Sequence, residues 1–464
     1  MTAFAPLARA GDLEDDEPAK KPEPAAAGAQ AAAKHRTYTL AECLAMTDRN
    51  HPNLWAARAR LAGFHAQLEE AKWTPFWQWT SQVTFGVLPQ IGGTPYYTAA
   101  PANLLNTNFT DGLNPFIQFS INGTIPLYTF GKIEWARRAA EAQVRVGEWD
   151  VEKWRQQVRM DVRRAFYGAM LARDARYLLN DIHNRLNKAI EALQEKLDNG
   201  EAGVDEVDRI RLEVYRDQLL ARAGEPDKAE NFAMAALRFM TGVARDFDIP
   251  DEPLAPSDVE VRPVVSYLAA ARLFRAEVNQ ARATISQRRA SLEVARARLF
   301  PDIGLLFNMN YSTAPSVIRQ DNAWVTDPFN RFTYSAALGA RWSLDILPGQ
   351  ARVAGAEAAL EEARALERNS LGGIAVEVEN AYGVMLDARR REQMWAKAEH
   401  KAKGWISSVQ DAIDLGTKDE KQLTEPLRVF VDSRLSHMTA TMDYNLALAD
   451  LARVSGWDAA APKK

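Results

Sequence analysis

Ile117-Gln118-Phe119-Ser120-Ile121-Asn122-Gly123-Thr124-Ile125 sorts its residues by parity, with Ile117, Phe119, Ile121 and Ile125 on one side and Gln118, Ser120, Asn122 and Thr124 on the other. Successive side chains of a strand point to opposite faces, so this is a strand whose two faces meet different surroundings. Three further stretches repeat the pattern. Trp77, Trp79, Val83 and Phe85 oppose Gln78, Thr80, Gln82 and Thr84. Ile303, Leu305, Phe307, Met309 and Tyr311 oppose Asp302, Gly304, Asn308 and Asn310, with Leu306 an exception on the polar side. Tyr334, Ala336, Leu338, Trp342 and Leu344 oppose Thr333, Ser335, Gly339, Arg341 and Ser343. A half-buried soluble sheet shows the same alternation. Gln, Asn, Thr, Asp and Arg on one face of all four strands, however, suit a hydrated lumen, and Trp, Tyr and Phe on the other suit a lipid band edged by aromatics. Trp77, Trp79, Phe85, Phe119, Phe307, Tyr311, Tyr334 and Trp342 are the candidate lipid-facing aromatics.

The rest of the chain reads as helix. Residues from about Lys132 to Leu197 and from about Ala351 to Asp414 carry apolar positions at helical spacing without breaks, and at 1.5 Å per residue each would span roughly 100 Å. Shorter helices are expected near Asn53–Trp73 with Val204–Met240, and Ala276–Leu299 with Lys418–Val454. Pro52, Pro226 and the Pro-rich segment Ile249–Pro263 mark expected breaks and an irregular belt near mid-height. Sliding the chain on itself by roughly 215 to 226 residues superposes the halves. Tyr167-Gly168-Ala169-Met170-Leu171 falls on Tyr382-Gly383-Val384-Met385-Leu386, Ala57-Arg58-Ala59 on Ala281-Arg282-Ala283, Gly131 on Gly349, and Asp198-Asn199-Gly200 on Asp414-Leu415-Gly416.

The expected organisation is therefore a signal remnant and flexible lead-in over 1–36, a first repeat over 37–250, a second over 251–457, and a tail at 458–464. The first repeat holds a β-hairpin at 76–128, a long helix at 131–197, a tip near 200 and a helix at 204–240. The second holds a hairpin at 301–346, a long helix at 349–414, a tip near 416 and a helix at 418–455. Small residues ending at Ala10 resemble an export-signal cleavage site, although a basic start is missing.

Composition narrows the function. Hydrophobic residues make up 47% and charged residues 25% of the 464, which excludes a disordered chain. The net charge of −4 is spread along the length, leaving no basic face for nucleic acid. No stretch nears the roughly 20 apolar residues of a spanning helix, so a spanning structure must be a barrel. Four strands cannot close one, because small closed barrels need about eight. Two chains would supply eight strands and three would supply twelve; a wide hydrated lumen favours three. The single Cys43 cannot form an internal disulfide, and the six histidines show no metal spacing. With no phosphate-cradling loop, nucleophile elbow or acid–base constellation, neither an enzyme nor a cofactor is expected. The rival reading is a soluble coiled-coil structural or membrane-shaping scaffold, which accounts for the helices but not the strands.

Several motifs together resemble those of the TolC-like outer-membrane efflux protein family, from Tyr38 to Trp457. They are Tyr38-Thr39-Leu40-Ala41-Glu42-Cys43-Leu44 followed by Asn50-His51-Pro52-Asn53-Leu54, the strand-to-helix junction Pro126-Leu127-Tyr128-Thr129-Phe130-Gly131-Lys132, and the turn Lys196-Leu197-Asp198-Asn199-Gly200. The resemblance implies an α+β membrane protein, with a long α-helical barrel forming a coiled-coil tunnel and four β-strands per protomer in a shared 12-stranded transmembrane β-barrel of a homotrimer. It implies a passive exit duct of a tripartite efflux or type I secretion system in the outer membrane of a Gram-negative bacterium, with a long periplasmic extension. Its partners would be outer-membrane lipid, a periplasmic adaptor (membrane fusion) protein and an inner-membrane transporter of RND, ABC or MFS type. Adaptor contact would fall at the tips, on Gly200, Gly203, Asp205, Gly416, Lys418 and Glu420. The family's acidic constriction would fall on Glu206, Gln422 and Glu425, with Gln422 departing from the acidic pattern. Three copies of Glu425 around one axis would attract cations and repel anions.

Overall fold

Each half of the chain opens on an eleven-residue helix that breaks and resumes for twenty-two residues more: α1 (Leu40–Asn50) and α2 (Pro52–Trp73), then α6 (Val264–Phe274) and α7 (Ala276–Ala297). In this computed structural model the described residues are 36–76, 78–92, 106–199, 205–243, 247–315, 317, 324, 326–327 and 329–457. The signal remnant, nearly all of the lead-in, the tail, Trp77, Gly200 and Gly203 lie outside them. The two break residues, His51 and Arg275, share one backbone conformation, φ −67°, ψ 129° and φ −66°, ψ 130°. Their causes differ. Pro52 ends α1 because proline disfavours helix in the residue before it, and the His51 ring then accepts from the Asn53 N–H at 3.1 Å. Burial lowers the His51 pKa, against a smaller opposing effect of Asp161, and so favours the neutral, accepting ring. At Arg275 no proline follows; the buried guanidinium is held instead by Glu277 at 3.1 Å, Glu377 at 2.5 Å and the Val454 carbonyl at 3.3 Å.

After these helices come the hairpins, β1 (Gln78–Gly92) with β2 (Asn106–Tyr128), and β3 (Asp302–Thr313) with β4 (Arg331–Arg341). The four pair antiparallel in the order β1-β2-β3-β4. The first hairpin extends further than the alternation suggested, because β1 and β2 continue past a register shift at Pro89/Gln90. Then come the long helices, α3 (Lys132–Asp198, 67 residues) and α8 (Ile346–Asp414, 69 residues), each about 100 Å at 1.5 Å per residue. Gly131 and Gly349 occupy different places. Gly131 caps α3 with φ +85°, which favours glycine, whereas Gly349 is buried in the first turn of a helix that starts earlier than expected. Proline is tolerated in a helix's first turn, so Pro348 does not delay α8.

The returning helices differ between the halves. The first is split into α4 (Glu206–Arg222) and α5 (Gly224–Thr241), with Pro226 in the first turn after the break. The second runs unbroken as α9 (Thr424–Ser455), but starts six residues beyond 418, after a 3-10 turn at Glu420–Leu423. Three apolar clusters hold the helices together. Ile182, Leu186 and Leu193 of α3 pack with Leu212 of α4, Val409 of α8 and Leu427 of α9. Met385 and Val378 of α8 pack with Leu451 of α9 and Val278 of α7. Cys43, Phe166 and Leu237 join α1, α3 and α5. The Cys43 thiol is pushed up to about 12 by burial, with Glu42 adding to it, which suits an apolar role. Glu42 itself completes a capping box with Thr39 at the start of α1.

Candidate functional site

The register places every apolar parity of the four strands on one face. Val83, Phe119, Tyr311 and Phe332 stand side by side, and so do Gln82, Ser120, Asn310 and Thr333 on the other face. On the polar face the Asn308 amide donates to Asn122 Oδ1 at 2.6 Å. On the apolar face the Trp79 ring lies over Gly123, where a Cβ would come within 2.3 Å of it, and sits 5.7 Å from the Phe307 ring. Among the described residues nothing covers this face: Phe85 is 75%, Leu338 70% and Tyr334 79% exposed. Phe119 and Phe307 are half-buried among strand neighbours and Tyr311 is exposed. Trp342 falls just past the end of β4 rather than within it; its Nε1 donates to the Leu299 carbonyl at 3.0 Å, fixing an exposed ring at the foot of the sheet. Leu344, also expected in this strand, lies beyond it because the chain is already turning toward α8. Among the described residues the outer edges of β1 and β4 have no partner strand.

At the strand-to-helix junction Phe130, at φ +52°, stacks on Phe300 at 5.1 Å. Lys132 Nζ donates to the Phe300 carbonyl at 2.9 Å and to Asp302 at 2.7 Å. These contacts fasten the first repeat's junction to the second's.

The opposite end of the long helices carries the tips. Asp205 caps α4 through the Val207 N–H at 3.4 Å. Beyond α8, Gly416 sits at φ +70°, and the Thr417 and Lys418 N–H groups close on the Ala412 carbonyl at 2.9 and 3.2 Å, as in a glycine-terminated helix. Lys418 is exposed, and Glu420 opens the 3-10 turn. Lys421 reaches Asp208 at 3.4 Å, bringing α4 beside that turn. Glu206, Gln422 and Glu425 are all exposed near the helix starts. Glu206 is hydrogen-bonded to Arg209, which holds its carboxyl below the usual range. Glu425 forms no ion pair among the described residues, so of these two acids it is the less neutralised locally.

Sequence reasoning missed the polar fittings of the belt. The buried Arg173 donates to Glu230 at 2.9 Å, to the Ile249 carbonyl at 3.0 Å and to Asp248. Burial pulls its pKa down, but the hydrogen bonds to Asp248 and Glu230 outweigh this and leave it raised. The Pro-rich strap is held on one side by Asp174, which accepts from the Leu254 N–H at 2.8 Å, and on the other by Asn445, which accepts from Ser257 and donates to Ala255. These partners are far apart in sequence; a repeat-scale reading had no signal for them.

The sheet and the long helices can be set beside known proteins. A family model for outer membrane efflux proteins matches residues 81–242 and 268–457, more than half of the chain. The chain belongs to the outer membrane efflux protein family. A search of curated proteins finds no match. Among solved structures the chain is similar to a membrane protein from Pseudomonas aeruginosa, 16% identical with a TM-score of 0.70, covering 91% of each chain. It is also similar to the open-state MtrE outer membrane channel of Neisseria gonorrhoeae, 13% identical, TM-score 0.70, covering 90% of this chain and 88% of that one. The outer membrane protein VceC of Vibrio cholerae is 15% identical with a TM-score of 0.66, covering 90% of this chain and 96% of that one. At such identities the structures speak for the fold, and the family match speaks for the class of function. This outer membrane efflux protein is an outer-membrane channel and not an enzyme. The rival scaffold reading leaves unexplained a sheet that is apolar on one face and open at both edges.

Proposed function

We propose that the chain is one third of a trimeric exit duct, with its polar sheet face lining the lumen and its apolar face in lipid. The open four-stranded sheet carries this reading. Unpaired strand edges are prohibitive in hydrocarbon, so closure must come from other copies, and three give a twelve-stranded barrel. The long helices continue the passage into the periplasm as a tunnel. Asp205, Gly416, Lys418 and Glu420, with Gly200 and Gly203 beside them in sequence, form the end that meets a periplasmic adaptor. An inner-membrane transporter of RND, ABC or MFS type supplies the energy of a tripartite efflux or type I secretion system. Glu425 forms the principal acidic ring of the constriction, with Glu206 and Gln422 contributing less.

Two measurements test the proposal. Protein extracted from membranes in detergent should run as a trimer on a gel and shift to the monomer on heating. A photo-crosslinker placed at Lys418 should capture a periplasmic adaptor. A monomer before heating, or recovery in the aqueous fraction without detergent, would reject the duct.

A further inference from the structure

The polar face of the sheet is charged unevenly. Its register sets Asp302 directly opposite Arg341, so an ion pair across β3 and β4 is within reach. Lys132 takes the carboxylate instead, at 2.7 Å. Arg341 and Arg331, at the two ends of β4, are exposed, and their side chains form no ion pair or hydrogen bond among the described residues. Among the described residues each chain therefore carries two unpaired guanidinium groups on one face, while that face's carboxylate at Asp302 is neutralised by Lys132.

Arg341 also lines a recess of about 370 Å³ at the foot of the sheet. All four strands contribute to it, Gln78 from β1, Thr124 from β2, Gly304 from β3 and Arg341 from β4, with Thr129 and Lys132 closing the side toward the helices. The wall at Gly304 has no side chain. The polar lining is the Gln78 amide, the Thr124 and Thr129 hydroxyls, the Lys132–Asp302 ion pair and Arg341, set in an otherwise apolar wall, and Arg341 is the cation there with no counter-ion among the described residues. A guanidinium presents a planar fork of donors that matches an oxyanion, and such charge-assisted bonds are the stronger kind.

We propose that this recess is an oxyanion site that takes the carboxylate or phosphate group of a small anionic cargo, with Arg341 as its anchor. It rests on the reading of the polar face as lumen: in the trimer three such recesses ring the foot of the barrel, between low-dielectric walls that focus their positive potential. The duct then has opposite preferences at its two ends, with Glu425 at the tip and Arg341 at the barrel. Lys132 has a positioning role here, because it draws Asp302 away from the anchor.

The test uses the full-length trimer in detergent, equilibrium dialysis against radiolabelled citrate and, separately, inorganic phosphate at low salt, and channel current in planar bilayers. Saturable uptake of at least one of the two anions is expected. Arg341→Gln should weaken it about tenfold or more, the usual effect of removing a charged hydrogen-bond partner. Arg341→Lys should retain part of it and Arg331→Gln most of it. Absence of saturable uptake, or uptake unchanged in Arg341→Gln, overturns the site. Current decides the lumen reading independently. Current without uptake keeps the pore and removes the recess as a site; uptake lost in Arg341→Gln in a protein that carries no current upholds the recess and removes its place in a pore.

Discussion

At the residue scale, two positions carry more than their size suggests. Gly304 lies where β3 crosses β2, and a Cβ there would come within 2.7 Å of the Ile125 carbonyl oxygen. Backbone cannot swing aside as a side chain can. Gly304→Val should therefore destabilise the folded sheet by about 1–3 kcal/mol, seen as a lower temperature for the heat-induced shift of the trimer. Arg173 is the second. It and Glu230 are each about nine-tenths buried, and Arg173→Ala would leave Glu230 with only Arg176, 2.7 Å from its other carboxylate oxygen. A loss of about 1.5–3 kcal/mol is expected, the scale of losing hydrogen bonds made by a charged group, with denaturant unfolding as the readout, and Arg173→Lys should recover only part because a single ammonium does not reproduce the guanidinium fork that reaches Glu230, Asp248 and the Ile249 carbonyl.

At the element scale, the strap and the strands each make a claim. Burial raises the Asp174 carboxyl above its ordinary 3.8, and the Leu254 N–H only partly offsets this. The folded state then holds a proton that the unfolded state has released, so the penalty of burying the charge is relieved below the raised pKa and grows as pH rises through it. Opening of the strap, measured by hydrogen exchange at Leu254 after correction for intrinsic exchange, should become easier with rising pH across that window. Asp174→Asn should flatten the dependence. For the strands, Phe85→Lys puts a charge on the apolar face that we propose lies in lipid, at a cost of about 2–4 kcal/mol near the bilayer midplane; recovery of trimer from membranes should fall. Thr84→Lys, one residue away on the polar face, should leave recovery unchanged.

At the scale of the whole molecule, the proposed duct has chemically distinct ends. Glu206 is already engaged by Arg209, whereas Glu425 has no such partner among the described residues. Glu425→Ala should therefore shift the reversal potential of the reconstituted channel toward anions more than Glu206→Ala does. Equal shifts would mean that local pairing does not set the field at the tip.

Parity along four short stretches, helical spacing along two very long ones and the doubling of both were legible before any coordinates, because each depends only on neighbours a few residues away. From them came the membrane-facing sheet, the need for several copies and the length of the tunnel. Pro52 and Pro226 marked true breaks for the same local reason. Arg275 did not announce its break, since what holds it is Glu377 on another helix. The buried Arg173, the clamping Asp174 and Asn445, and the split of duties between Asp302 and Arg341 were equally hidden. Each is settled by which charges end up side by side after folding, and a guanidinium is neutralised or left bare according to partners tens to hundreds of residues away. The amino-acid order determined a two-faced sheet on long helices; the tertiary structure alone decided which of its charges are paired among the described residues, because those partners meet only after folding.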